Sequence, residues 1–86
     1  MKRQTTLRKP GIAIRKTLAQ NVRTLRSRLK ISQEELADRC GLHRTYVGAI
    51  ERAERNVTLS TLEVFSEALK VLVPDLLRDN IHDTDD

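Results

Sequence analysis

Residues 32–52 read SQEELADRCGLHRTYVGAIER. Helical spacing runs on both sides of Gly41, and His43, Arg44, Thr45 and Tyr46 crowd together just beyond it. Ser32 has the spacing of a helix cap: its hydroxyl can accept from the Glu35 N–H while the Glu35 side chain reaches back. Glu34 and Glu35 suit the positive end of that helix. Leu36, Ala37 and Cys40 form its inner face. Gly41 supplies the permissive backbone on which a helix ends. A second helix is expected over His43 to Ala53, with Val47, Ile50 and Glu54 inward. Thr45, Ala49 and Arg52 fall on the opposite side, and Gly48 lies between the faces.

Outward from this stretch the pattern stays helical. Leu18, Val22, Leu25 and Leu29 recur at spacings of one helix face. They predict a first helix over Thr17 to Lys30, or from Ile12, and Thr17 with Gln20 has capping-box spacing. Ser60 and Glu63 repeat that spacing ahead of Leu62, Phe65 and Leu69, which face inward along a fourth helix. Pro74, a residue favoured in the first turn, opens a fifth. No stretch alternates with the period of a strand. The expectation is an all-α, compact five-helix bundle: a flexible basic arm at 1–11, a domain at 12–81 and an acidic tail at 82–86.

Composition narrows the partners. The 86 residues suffice for one small domain. No apolar run reaches the roughly 18 residues of a membrane span, and the N-terminus lacks a secretory apolar stretch. The single cysteine excludes an internal disulfide and fits a cytoplasmic setting. The net charge of +4 is unevenly divided: Met1 to Lys30 holds ten basic residues and no acidic one, whereas Ile31 to Asp86 holds six basic and twelve acidic. A basic front half points to a polyanion such as nucleic acid, or to a solvated tail and helix surface.

The turn carries the sharper signal. Counting from Gln33, the fifth residue is Ala37, the ninth Gly41 and the fifteenth Val47. A small Ala37 lets the second helix cross close over the first, Gly41 takes the turn and Val47 packs back. Leu36, Cys40, Leu42 and Ile50 fill the remaining inner positions. This is the logic of a helix-turn-helix, whose second helix enters the major groove. The stretch Leu25 to Leu59, with SQEELA, GLHRTYV and IER, resembles the phage-repressor or Cro-type helix-turn-helix family. Within it, GLHRTYVGAIERAERNVTL is most similar to the controller proteins of restriction–modification systems. The resemblance covers roughly Leu18 to Leu77. One departure concerns Ala53, which stands where many relatives carry glycine.

The chemistry of the side chains then assigns contacts. Arg44 can donate two parallel hydrogen bonds to guanine O6 and N7. Thr45 offers a hydroxyl or methyl, and Tyr46 a phenol or ring edge, unless it is half-buried against the preceding helix. Arg52 either reaches bases or pairs on the surface. Gln33, at the N-terminus of the helix before the turn, meets phosphate, as the resemblance also implies. Arg39 and His43 are further phosphate candidates, Arg39 with Glu35 as the rival partner. The resemblance places Asn56 and Ser60 near phosphate in the loop after the recognition helix. Gly48 and Ala49 leave one side of that helix bare, for close approach to the groove floor or for packing on the fourth helix. Glu51 reads as structural, satisfying an arginine or a loop N–H. Cys40 and His43 are too few for a zinc site. No cofactor, metal, small-molecule ligand or catalytic pair is expected, so the chain reads as a non-enzyme.

Reading two half-sites requires two copies. The apolar surplus of Phe65, Leu72, Val73, Leu76, Leu77 and Ile81 is the expected homodimer seam, or else closes the subunit's own core. The function expected is that of a dimeric, sequence-specific transcriptional regulator on a palindromic operator in double-stranded DNA, with the controller role implied by the resemblance. The alternatives are an antitoxin or other module that grips a protein through the fifth helix, and a phage-type repressor.

Overall fold

A computed structural model of the chain describes residues 11–79. The regular elements among them are five helices: α1 (Ile12–Leu29), α2 (Gln33–Cys40), α3 (Arg44–Glu51), α4 (Leu59–Leu69) and α5 (Val73–Leu76). The arm expected at 1–11, apart from Gly11, and the tail at 82–86 lie outside the described residues. No described helix is long and apolar enough to cross a membrane.

Each helix contributes its apolar stripe to one core. Leu18, Val22 and Leu25 of α1 meet Leu36 and Ala37 of α2, Val47 and Ile50 of α3, Leu62, Phe65 and Leu69 of α4, and Leu76 of α5. α3 packs against both α1 and α2, and α4 packs against α1, α2 and α5. Full burial of each large apolar side chain contributes about 1.5–3 kcal/mol. The two-sided packing of α3 explains why five successive residues, Val47 to Glu51, are all buried.

The ends of the helices follow local chemistry. Ser32 accepts from the Glu35 N–H at 2.9 Å, while the Glu35 carboxylate takes Arg39 as its partner rather than reaching back. Gly41 sits at φ 68°. There its own N–H bonds to Asp38 O (3.2 Å) and that of Leu42 to Ala37 O (2.9 Å), the paired closure of a Schellman motif. The same closure ends α1, α3 and α4 at Lys30, Ala53 and Lys70, three residues with φ near 60° and a Cβ. The turn after α3 therefore keeps the geometry that glycine favours although alanine fills it. The left-handed conformation costs a non-glycine residue about 1–2 kcal/mol, and glycine's greater freedom when unfolded offsets part of the relief. Ala53→Gly should accordingly stabilise the domain by about 0.5–1 kcal/mol, read as a rise of the denaturation midpoint at unchanged slope.

Four local expectations are corrected. α1 starts at Ile12, directly after the Pro10-Gly11 breaker, so Thr17 and Gln20 are interior and form no cap; the Thr17 hydroxyl bonds to Asp79 at 3.0 Å. α4 is capped by Thr58 rather than Ser60, because Thr58 has the extended backbone from which its hydroxyl reaches the Thr61 N–H (3.1 Å). Glu54 is exposed, since the turn at Ala53 carries it off the helix, and Glu51 takes the inner place. Ala49 is buried at 8% exposure instead of lining a bare outer face.

Candidate nucleic-acid interface

The turn at Gly41 sets the first residues of α3 at the surface. His43 precedes α3 in extended conformation, and His43, Arg44 and Thr45 are all exposed. They border an open groove of about 340 Å³ with Ala37 and Leu42 at its base and Glu34 and Asp38 beside it. Arg44 and Thr45 have no side-chain hydrogen bond or ion pair among the described residues. Tyr46 is half-buried against the core, and the Arg55 guanidinium lies 5.0 Å from its ring centroid. This cation–π contact fixes the ring beside the recognition turn.

The floor of the interface is held by one buried carboxylate. Glu51, at 3% exposure, accepts from Arg26 Nε at 2.7 Å and from Arg26 Nη2 at 3.0 Å. Arg26 also donates to Ile31 O (2.9 Å), and Arg23 donates to Glu51 O. The expected structural role of Glu51 is thus met by an arginine of α1. The same carboxylate accepts from Gln33 Nε2 at 2.9 Å. Gln33 has one amide N–H anchored and a second available at the α2 N-terminus.

Gly48 lies beneath two of the assigned residues. A Cβ there would fall 3.1 Å from Arg52 Nη1 and 3.4 Å from Gln33 Oε1. The bare side of α3 is therefore covered by the chain's own polar side chains and not by α4. Arg52 is itself paired with Glu54 at 3.1 Å, in solvent. The remaining phosphate candidates lie on α2, in the loop after α3 and in the first turn of α4. Arg39 is exposed and paired with Glu35 at 3.0 Å. Asn56 accepts from Arg15 Nη1 at 2.9 Å. The Ser60 hydroxyl lies 3.1 Å from that of Thr58.

Cys40 packs partly against the core, and burial pushes its thiol up to about 11, which leaves it protonated at neutral pH. Among the described residues, no group of three His, Cys, Asp or Glu side chains is placed to hold a metal.

The dimer seam needs revision. Phe65 and Leu76 are 0% exposed inside the subunit, because α4 and α5 close over them, and they have no surface to offer a second copy. Leu72 is 71% exposed, and Val73 and Leu77 are partly so; Ile81 lies outside the described residues. Val64, Val71, Leu72 and Val73 line an open groove of about 410 Å³ flanked by Glu63 and Glu67. Sequence reasoning did not assign Arg15, Arg26 or Arg55. Their partners are 25 to 41 residues away or lie across a turn, where no periodicity reports them.

The helix-turn-helix family matches residues 22–76. Control protein C.SmaI of Serratia marcescens is 56% identical over 64 residues, spanning 74% of this chain and 76% of that protein. The solved restriction-modification controller protein C.AhdI from Aeromonas hydrophila superposes with a TM-score of 0.71 at 39% identity, over 74% of this chain and 97% of that one. The controller protein C.Esp1396I, solved as a tetramer in complex with its natural 35 base-pair operator, gives a TM-score of 0.67 at 30% identity, over 73% and 83% of the two chains.

Proposed function

This chain belongs to the helix-turn-helix family, among the restriction–modification controller proteins, and from that premise we propose how it works. It is a sequence-specific DNA-binding transcriptional regulator that acts as a homodimer on a palindromic operator. The observation that carries this reading is the pair Arg44 and Thr45, exposed and unpaired among the described residues where Gly41 turns the chain into α3, with the Gln33 amide anchored on Glu51 of the same helix. Arg44 and Thr45 read base edges in the major groove, with Tyr46 and Arg52 at its margins. Gln33, Arg39, His43, Asn56 and Ser60 meet the phosphates on either side. Leu72, Val73 and Leu77 form the seam between subunits.

The protein acts in the cytoplasm, at the nucleoid, on its own promoter and that of a linked endonuclease gene. Its own concentration is the natural signal: monomers dimerise, and dimers fill operators. The test begins with selection of bound duplexes from a random pool, followed by a salt titration of the winning sequence. The logarithm of affinity is expected to fall linearly with the logarithm of salt, with a slope of about −0.9 per phosphate neutralised. A flat response would overturn the electrostatic part of the reading.

A further inference from the structure

The loop after α3 is braced by the first turns of α1. Arg15 donates from Nη1 to Asn56 Oδ1 at 2.9 Å and from Nε to Ala53 O at 3.3 Å. The fit is close: a Cβ on Gly11 would lie 3.1 Å from Arg15 Nη1 and 3.8 Å from Asn56 Oδ1. The direction of these bonds has a chemical consequence. A guanidinium has donors and no acceptor, so only the oxygen of the Asn56 amide can face it. The amide nitrogen is thereby turned the other way, on an exposed residue, and makes no hydrogen bond among the described residues. A phosphate oxygen accepts hydrogen bonds and cannot donate them. An asparagine that presented its oxygen would repel it; one that presents its nitrogen offers two donors.

We propose that Arg15 is a positioning residue for DNA binding: it fixes the Asn56 amide with its N–H groups outward, toward the operator phosphate. This rests on the DNA-binding reading above and deepens it. Arg15 is half-buried, and the two donors it uses here are engaged within the subunit. Its hold on Ala53 O also secures the left-handed turn that sends the loop to that position. A side chain 41 residues away in sequence thus sets the polarity of a contact it does not make.

The test measures affinity for a duplex selected from a random pool by the unaltered protein. Arg15→Met is expected to weaken binding about three- to ten-fold per half-site, the worth of one hydrogen bond. The salt slope should stay unchanged, and the loss should largely vanish in an Asn56→Ala background. A slope shallower by about 0.9, with the full loss kept in the Asn56→Ala background, would mean that Arg15 itself grips a phosphate and would overturn the proposal. So would unchanged affinity. Arg15→Lys is the second variant: it keeps the charge but lacks the planar fork that reaches both carbonyl oxygens. It should also bind more weakly, and full affinity in this variant would contradict the proposal. Failure of the unaltered protein to enrich any duplex is a different result, since it removes the DNA reading before any variant is made.

Discussion

Asn21→Asp should come close to unfolding the domain at neutral pH, with a loss of about 3–5 kcal/mol out of the roughly 5–10 kcal/mol that a domain of this size holds. Asn21 is 1% exposed. Its amide nitrogen donates to Leu76 O at 2.8 Å, Arg78 O at 2.9 Å and Asp75 O at 3.4 Å. Those carbonyls belong to α5, a four-residue helix far too short to hold itself, and to the residues that follow it. A carboxylate in the same place would face three carbonyl oxygens with no proton to share. Burial and these oxygens favour its neutral form, so its pKa in the folded state rises above the ordinary value of about 4. The stability is then present below that ordinary value and is lost as pH rises through the folded-state pKa. Thermal melts from about pH 4 to 7 should show the variant falling steadily behind the unaltered protein. Since Val73 lies in α5 and Leu72 and Leu77 flank it, sedimentation should also show a loss of dimer.

Arg44→Ala is the counterpart at the interface: a large functional loss with no structural one. The expected cost is about 1–3 kcal/mol per half-site, with relaxed preference at one base position in each. Because Arg44 is exposed and unpaired among the described residues, its removal leaves the melting midpoint unchanged. Titration of the selected duplex and of duplexes altered at each position checks both parts. A variant that kept full preference would show that the arginine does not read a base.

The legible and the hidden parts of this molecule divide along a physical line. Helical periodicity and end signals are local, so α2, Gly41 and the inward faces of α1 and α4 could be read directly. Ser32 worked as a cap because nothing nearer competed for the Glu35 N–H. Ser60 did not, because Thr58 lay two residues upstream with the same hydroxyl. Asn21 was readable in principle: it sits three residues after Leu18 on the buried stripe, and a polar residue there must find partners. The arginines were not. Arg15 and Arg26 belong to the basic front half of the sequence and Arg55 to the acidic remainder, yet each is engaged by a specific acceptor or ring brought to it by the fold. The seam is legible only in part for a related reason. Apolar content at the C-terminal end does not say which leucines face in, and Phe65 and Leu76 went to the subunit's own core.

Sequence reading by this chain requires the first turn of α3 to lie in the major groove, and methylation of guanine N7 by dimethyl sulfate reports that groove directly. On the selected duplex, bound protein should shield guanines in two patches about 34 Å apart, on one face of the DNA. Arg44→Ala should restore the reactivity of one guanine in each patch. Guanine N7 atoms left equally reactive along the whole occupied duplex would contradict the account.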